Sequence, residues 1–256
     1  MPFLLDNAPS SAAGPILFMK TCDSAFNVAC SECNLRQLCM PSGLDAAQMR
    51  QIESLVKSKR HIKRGQTLFA NGMPFQALFA IRSGAFKTCV FNAQGHEQVF
   101  GFQIAGELLG LDGFVSNRHC CDAIALEDAQ VCVMPIQELQ TVSEEIPALA
   151  SHLHRIMSAE IVRERGLLLL LGGMRAEERL AAFLIHMTER LAARGFSSAQ
   201  LMLRMSRQDI GSCLGLQIET VSRAFGKLVE QGLIALDKRH VTIVDAQGLK
   251  SLAQLA

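Results

Sequence analysis

Residues 206–234 read SRQDIGSCLGLQIETVSRAFGKLVEQGLI, the strongest local pattern in the C-terminal third. Ser206 followed three positions later by Asp209 has the form of a capping box opening a short helix, and Gly215 suits the tight turn after it. A second helix from about Gln217 to Glu230 is expected to bury Ile218, Val221, Phe225, Leu228 and Val229 and to stop at Gly232. Its other face carries Glu219, Ser222, Arg223 and Lys227. Glu219 and Arg223 are four apart and stack on one side of the helix, with Ser222 beside them. Arginine donates to guanine O6 and N7, glutamate accepts from the cytosine amino group, and serine reaches base or phosphate. The combination therefore suits a helix lying in the DNA major groove rather than a solvated face with an ordinary ion pair. Residues 233–245, LIALDKRHVTIVD, read as two strands around a basic tip of Lys238, Arg239 and His240, a wing that would meet phosphates.

Working outward, residues 175–194 form an amphipathic helix through Leu180, Ala181, Phe183, Leu184, Met187 and Leu191, with Gly195 as its stop. Gly172-Gly173 ends a longer helix that begins near Ile146 and carries Ile146, Leu149, Leu153, Ile156, Met157, Ile161, Leu167, Leu168 and Leu171. A helix of that length in a chain of this size is expected to pair with a second copy; the alternative is a buried helix between domains. Between His61 and Pro135, short apolar runs such as Ala77 to Ile81 and Phe86 to Phe91 alternate with turns at Asn71-Gly72, Ser83-Gly84 and Asn92 through Gly95. That rhythm describes a sandwich or rolled barrel. Residues Leu44 to Val56 add a short helix, and residues 1–43 lack periodicity.

Composition narrows the classes. The chain has 256 residues, enough for two ordinary domains, and a formal net charge of +1 that does not by itself announce a nucleic-acid partner. From Arg175 to Ala256 eleven Lys/Arg stand against eight Asp/Glu, a local +3 that permits DNA contact. The longest strongly apolar run, Leu167 to Leu171, is too short to span a membrane. The opening segment through Leu17 lacks a basic region before a long apolar core, so a cytoplasmic address is expected. No nucleophile–base–orienter set stands out, and His152 and His154 are two apart on a helix and face different ways, so no enzyme is expected.

The nine cysteines are Cys22, Cys30, Cys33, Cys39, Cys89, Cys120, Cys121, Cys132 and Cys213. An odd number in a chain of this expected address argues for free thiols or metal ligation rather than a disulfide framework. Cys30, Cys33 and Cys39 bring three soft ligands together, which select zinc, copper(I) or an iron–sulfur cluster over hard cations. Spacing alone does not choose among a structural zinc, a cluster and inert thiols. An electron-transfer protein would use such ligands but leave the helix-turn-helix without a role.

From about Cys30 to Ala256 the chain resembles the FNR group of the cAMP-receptor superfamily, the anaerobic oxygen-sensing transcription regulators. The stretch CSECNLRQLCMP resembles that group's cluster-binding loop and ALEDAQVC the segment bearing its fourth ligand. The resemblance thus implies a [4Fe-4S] cluster on Cys30, Cys33, Cys39 and Cys132. It assigns Glu219 and Arg223 to base reading and Ser222 to a methyl contact. Cys22 lies outside the matched loop, and Cys89, Cys120, Cys121 and Cys213 are expected as small core residues, Cys121 being the rival fourth ligand. The cyclic-nucleotide-binding members share the Gly106-Glu107-Leu108 turn. Their following Arg-Ser pair is missing here, where Asn117-Arg118-His119-Cys120 stands, and Ile218 replaces the Arg before their recognition-helix Glu.

The architecture so implied is α+β. It comprises a cluster-binding segment over 1–43, a β-roll (double-stranded β-helix or jelly-roll) sensory domain over 44–145, a dimerisation helix over 146–172 and a winged helix-turn-helix over 173–256. A homodimer is expected to pair through Ile156 and Ile161, with Glu164 opposing association when the cluster is absent. Its expected target is a TTGAT-N4-ATCAA-like palindrome. Further partners implied are RNA polymerase, at the turn from Asn92 to His96, and molecular oxygen as the signal. The rival is an effector-controlled regulator with structural zinc or free thiols.

Overall fold

The computed structural model describes Cys33, Leu35, Cys39 and residues 41–254. Cys22, Cys30 and most of the expected 1–43 segment lie outside the described residues. The first helix, α1 (Ala46–Leu55), opens on a capping box. The Asp45 carboxylate accepts from the Ala47 and Gln48 amides at 2.8 Å each, and the Gln48 side chain accepts from the Asp45 amide at 3.1 Å.

Eight strands follow: β1 (Ser58–Ile62), β2 (Thr67–Phe69), β3 (Ala77–Ser83), β4 (Ala85–Phe91), β5 (Glu97–Ile104), β6 (Leu108–Leu109), β7 (Asp122–Ala125) and β8 (Ala129–Pro135). They form two four-stranded sheets, ordered β1-β8-β3-β6 and β2-β7-β4-β5, antiparallel throughout. Both sheets fill the core between them, with Ile62, Phe79, Ile81 and Val131 from one and Leu68, Phe69, Phe86 and Ala123 from the other. The continuous apolar run in β3 has a reason. Alternate residues leave opposite faces of a strand. Phe79 and Ile81 enter the inter-sheet core, while Leu78 and Ala80 enter a second core under the helices.

That second core is closed by α1, by α2 (Ile136–Glu145) and by the start of α3 (Pro147–Gly173). The sequence reading did not anticipate α2. Only Leu139 and Val142 mark its buried face, too few to set up a visible helical period, although Pro135 at its N-cap stops the strand as expected. The 27-residue α3 begins with Pro147 at its first turn. Leu149 is buried and Leu153 and Ile156 are half-buried against the second core. Beyond them Ile161, Val162 and Leu168 are 49%, 67% and 67% exposed.

The C-terminal part consists of α4 (Ala176–Ala192), β9 (Gln200–Met202), α5 (Arg207–Leu214), α6 (Ile218–Glu230), β10 (Ile234–Asp237), β11 (His240–Ile243) and α7 (Ala246–Leu252). Its three strands pair in the order β10-β11-β9. Its core is continuous with the outer face of the β4–β5 hairpin. Cys89, Val99 and Phe102 pack with Leu180, Phe183 and Leu184, and the Phe102 and Phe183 rings meet edge-on at 5.9 Å.

Candidate functional site

The pair α5–α6 is built by local rules. Ser206 caps α5 by accepting from the Asp209 amide at 3.0 Å, and Asp209 accepts in return from the Ser206 amide at 2.8 Å. Gly215 ends the helix in the left-handed region at φ 63. Gly211 is needed for a reason the pattern did not show: a Cβ there would stand 2.5 Å from the Leu216 carbonyl oxygen, blocking the close turn into α6.

Helix α6 buries Val221, Ala224, Phe225 and Leu228. Ile218 and Val229, expected inside, are instead 45% and 41% exposed. Glu219, Ser222 and Arg223 are all exposed. Among the described residues no ion pair joins Glu219 to Arg223, so the helix leaves both heads available to an incoming surface. The Ser222 hydroxyl donates to the Ile218 carbonyl at 3.0 Å. Lys227, expected on the outward face, is paired with Glu177 at the start of α4. The Arg207 guanidinium lies 3.3 Å over the Phe225 ring, tying α5 to α6. Lys238 and Arg239 form the tip between β10 and β11, with Lys238 at φ 54.

This module is clasped to the β4–β5 hairpin. The Lys87 ammonium lies 2.6 Å from Asp209 and 2.7 Å from Glu97. Ser212 accepts from the Val99 amide at 2.9 Å and donates to the Glu97 carbonyl at 2.8 Å. Burial opposes ionisation of Asp209, but the hydrogen bonds from Lys87 and Ser206 hold its carboxyl below the usual range.

Two of the proposed ligand thiols, those of Cys39 and Cys132, lie on the helix-covered side of the first sheet. Cys132 sits on β8, with Lys59 and Ala80 as its neighbours across the ladder. Cys39 and Cys132 are half-buried against the same core as Leu153 and Ile156 of α3. Burial pushes the Cys132 thiol up, Lys59 and Arg82 partly offset that, and Cys33 is close enough to add to it. Cys39 and Cys132, distant in sequence, therefore pack against one core, while Cys30 is outside the described residues. Half-buried thiols are the soft donors that an iron–sulfur cluster takes. Of the other cysteines, Cys89, Cys121 and Cys213 are buried as expected. Cys120 is exposed, because the loop before β7 turns it outward instead of into the core.

The Glu107 carboxylate is occupied by the chain itself. It lies 2.6 Å from Arg190, 2.9 Å from Arg194 and 3.7 Å from Arg163. Although burial opposes its charge, Arg190 first, then Arg163 and Arg194, hold it below the ordinary range. The turn after β5 is thereby bound to both α3 and α4. Arg118 donates to the Gly72 carbonyl at 2.7 Å.

Two family models match the chain: the cyclic nucleotide-binding domain over residues 59–145 and the Crp-like helix-turn-helix domain over residues 178–252. The transcriptional regulatory protein Btr of Bordetella pertussis is 42% identical, over 87% of this chain and 92% of its own length. The fumarate and nitrate reduction regulatory protein of Escherichia coli is 40% identical, over 88% and 90%. Among solved structures, FixK2 of Bradyrhizobium japonicum superposes with a TM-score of 0.72 at 28% identity, over 78% of this chain and 98% of that one. Among the described residues no helix is long and apolar enough to cross a membrane. A sheet domain, a long helix and a capped helix-turn-helix, together with these identities, make the chain a DNA-binding member of the Crp/Fnr family of oxygen- and redox-responsive transcription regulators.

Proposed function

We propose that this regulator senses oxygen through a [4Fe-4S] cluster held by Cys30, Cys33, Cys39 and Cys132, and that the bound cluster favours a dimer reading a TTGAT-N4-ATCAA-like palindrome. When bound, the cluster supplies the oxygen-sensitive redox chemistry. One observation carries the reading: Cys39 and Cys132 share a core with Leu153 and Ile156, so ligation acts directly on the long helix. Attachment at Cys132 would pin the N-terminal loop to β8 and steady α3. Ile156 is then held in place, and the exposed Ile161 and Leu168 extend the same helix as a surface for a second copy.

Pairing two copies of α6 about one DNA turn apart would set Glu219, Ser222 and Arg223 against symmetric half-sites. In this reading residues 44–145 sense, 146–172 dimerise and 173–256 read DNA. The turn from Asn92 to His96 is exposed and stiffened by the Asn92 side chain, which accepts from the Gln94 and His96 amides at 2.9 Å each, and it is our candidate surface for RNA polymerase. A cyclic-nucleotide effector is disfavoured by the three arginines that already occupy Glu107.

Iron and labile-sulfide analysis of anaerobically purified dimer tests the ligand set. About four iron and four sulfide per subunit are expected. Cys132→Ser should lose both, together with specific DNA binding. Full iron retention in that variant, or zinc without sulfide in the unaltered chain, would reject the cluster assignment.

A further inference from the structure

A second set of metal-ligating atoms lies elsewhere in the sheet domain. Among the described residues, one group of three or more such atoms draws together within 4.8 Å: a carboxylate oxygen of Asp112 and the thiols of Cys120 and Cys121. Asp112 sits in the 3-10 turn Leu111–Phe114, and the two cysteines end the loop before β7. Asp112 Oδ2 accepts from the Cys120 amide at 2.7 Å and from the Cys121 thiol at 3.6 Å, while Oδ1 stands 3.3 Å from His119 Nδ1. The buried His119 ring stacks on Phe69 at 3.7 Å between centroids, which fixes the imidazole and through it the carboxylate.

This cluster is separate from the cysteines discussed above. Cys121 belongs to the core between the two sheets, whereas Cys132 belongs to the core beneath the helices. We propose that Asp112, Cys120 and Cys121 form a second site, which binds one zinc-like divalent cation with its fourth position open to water. Two thiolates and a carboxylate are a zinc donor set rather than a magnesium or calcium one. A tetrahedral ion with zinc–sulfur bonds of about 2.3 Å holds two sulfurs roughly 3.8 Å apart, so the loop needs little rearrangement. Burial, and then the Asp112 charge, push the Cys121 thiol up, and the same two causes raise that of Cys120. Burial opposes ionisation of Asp112, but hydrogen bonds from His119 and Cys120 keep its carboxyl below the usual range. A divalent cation would bind there beside the Asp112 carboxylate by displacing the two thiol protons. Exposed Cys120 gives the ion its way in.

The test uses the full chain, purified anaerobically with its iron in place and equilibrated with buffered zinc, followed by elemental analysis for zinc, iron and sulfide together. The expected result is one zinc per subunit beyond the iron. Cys120→Ser, at an exposed position, and Asp112→Asn should each weaken zinc binding by at least ~10-fold with iron and sulfide unchanged. Cys132→Ser should do the reverse, so failure of the oxygen-sensing reading would leave the zinc result standing. Cys121→Ala offers a second check by removing the buried ligand. The proposal is overturned if the unaltered chain retains no zinc, if Cys120→Ser and Cys121→Ala retain it undiminished, or if zinc disappears with Cys132→Ser.

Discussion

Arg223 is exposed on α6 and makes no ion pair with Glu219, so its guanidinium is ready to donate to a base edge without first breaking an internal bond. Arg223→Ala should cost about 1–3 kcal/mol of discrimination for the palindrome. In anisotropy titrations with labelled duplexes the specific site should weaken tenfold or so while a scrambled duplex changes little. Equal weakening on both duplexes would reduce Arg223 to a phosphate contact. Ser222 has a different local role, because its hydroxyl is already turned back to the Ile218 carbonyl. Such exposed positions were legible from spacing alone, since four residues on a helix return to one face whatever packs behind it. Gly211 was not, because the obstacle to a side chain there is a carbonyl five residues on, visible only once the turn is built.

At the scale of elements, the ion cluster around Glu107 joins the turn after β5 to α3 and α4. Three arginines left facing an uncharged amide would be poorly compensated. Glu107→Gln is therefore expected to lower unfolding stability at neutral pH by about 3–5 kcal/mol, the usual cost of breaking a buried pair from one side. The pH dependence has a definite sign. The folded carboxyl is held below its unfolded value, so its contribution is complete above the unfolded value, near pH 4.3, and disappears as pH falls through the folded one. Denaturant unfolding at neutral and acid pH should show the gap between the two proteins narrowing on acidification. A gap that stays constant down to about pH 3 would mean that Glu107 does not carry its charge in the fold. Sequence marked the Gly106-Glu107-Leu108 turn but not its partners, which come from α3, α4 and the turn just after α4, all remote along the chain.

For the molecule as a whole, association is proposed to run through α3. Its first half is covered by its own domain, while Ile161, Val162 and Leu168 expose apolar surface that a second α3 would cover. Glu164 is exposed on this half of the helix. Across a two-fold axis such a carboxylate would face its own copy, a repulsion that grows as water is excluded. Glu164→Ala should therefore raise the dimer fraction of cluster-free protein in sedimentation velocity. An unchanged distribution would place Glu164 outside the interface. The clasp of Lys87 on Asp209 also belongs to this scale, because it makes the orientation of α5 and α6 depend on the hairpin between β4 and β5.

Sequence by itself determined what depends on neighbours within a few residues. The capping box at Ser206, the turn at Gly215, the outward row of Glu219 and Arg223, the wing at Lys238 and Arg239 and the long helix beginning near Ile146 all rest on short-range geometry, and each of these elements is present. Only tertiary structure decided which faces are covered. Ile218 and Val229 stayed partly outside, Cys120 turned to solvent beside Asp112, Cys39 came to the same core as Cys132, and Glu107 met three arginines. Periodicity announces that a side chain is apolar and on which side of its own element it lies. What approaches that side from elsewhere in the chain is set by packing between elements, and local pattern carries no record of it.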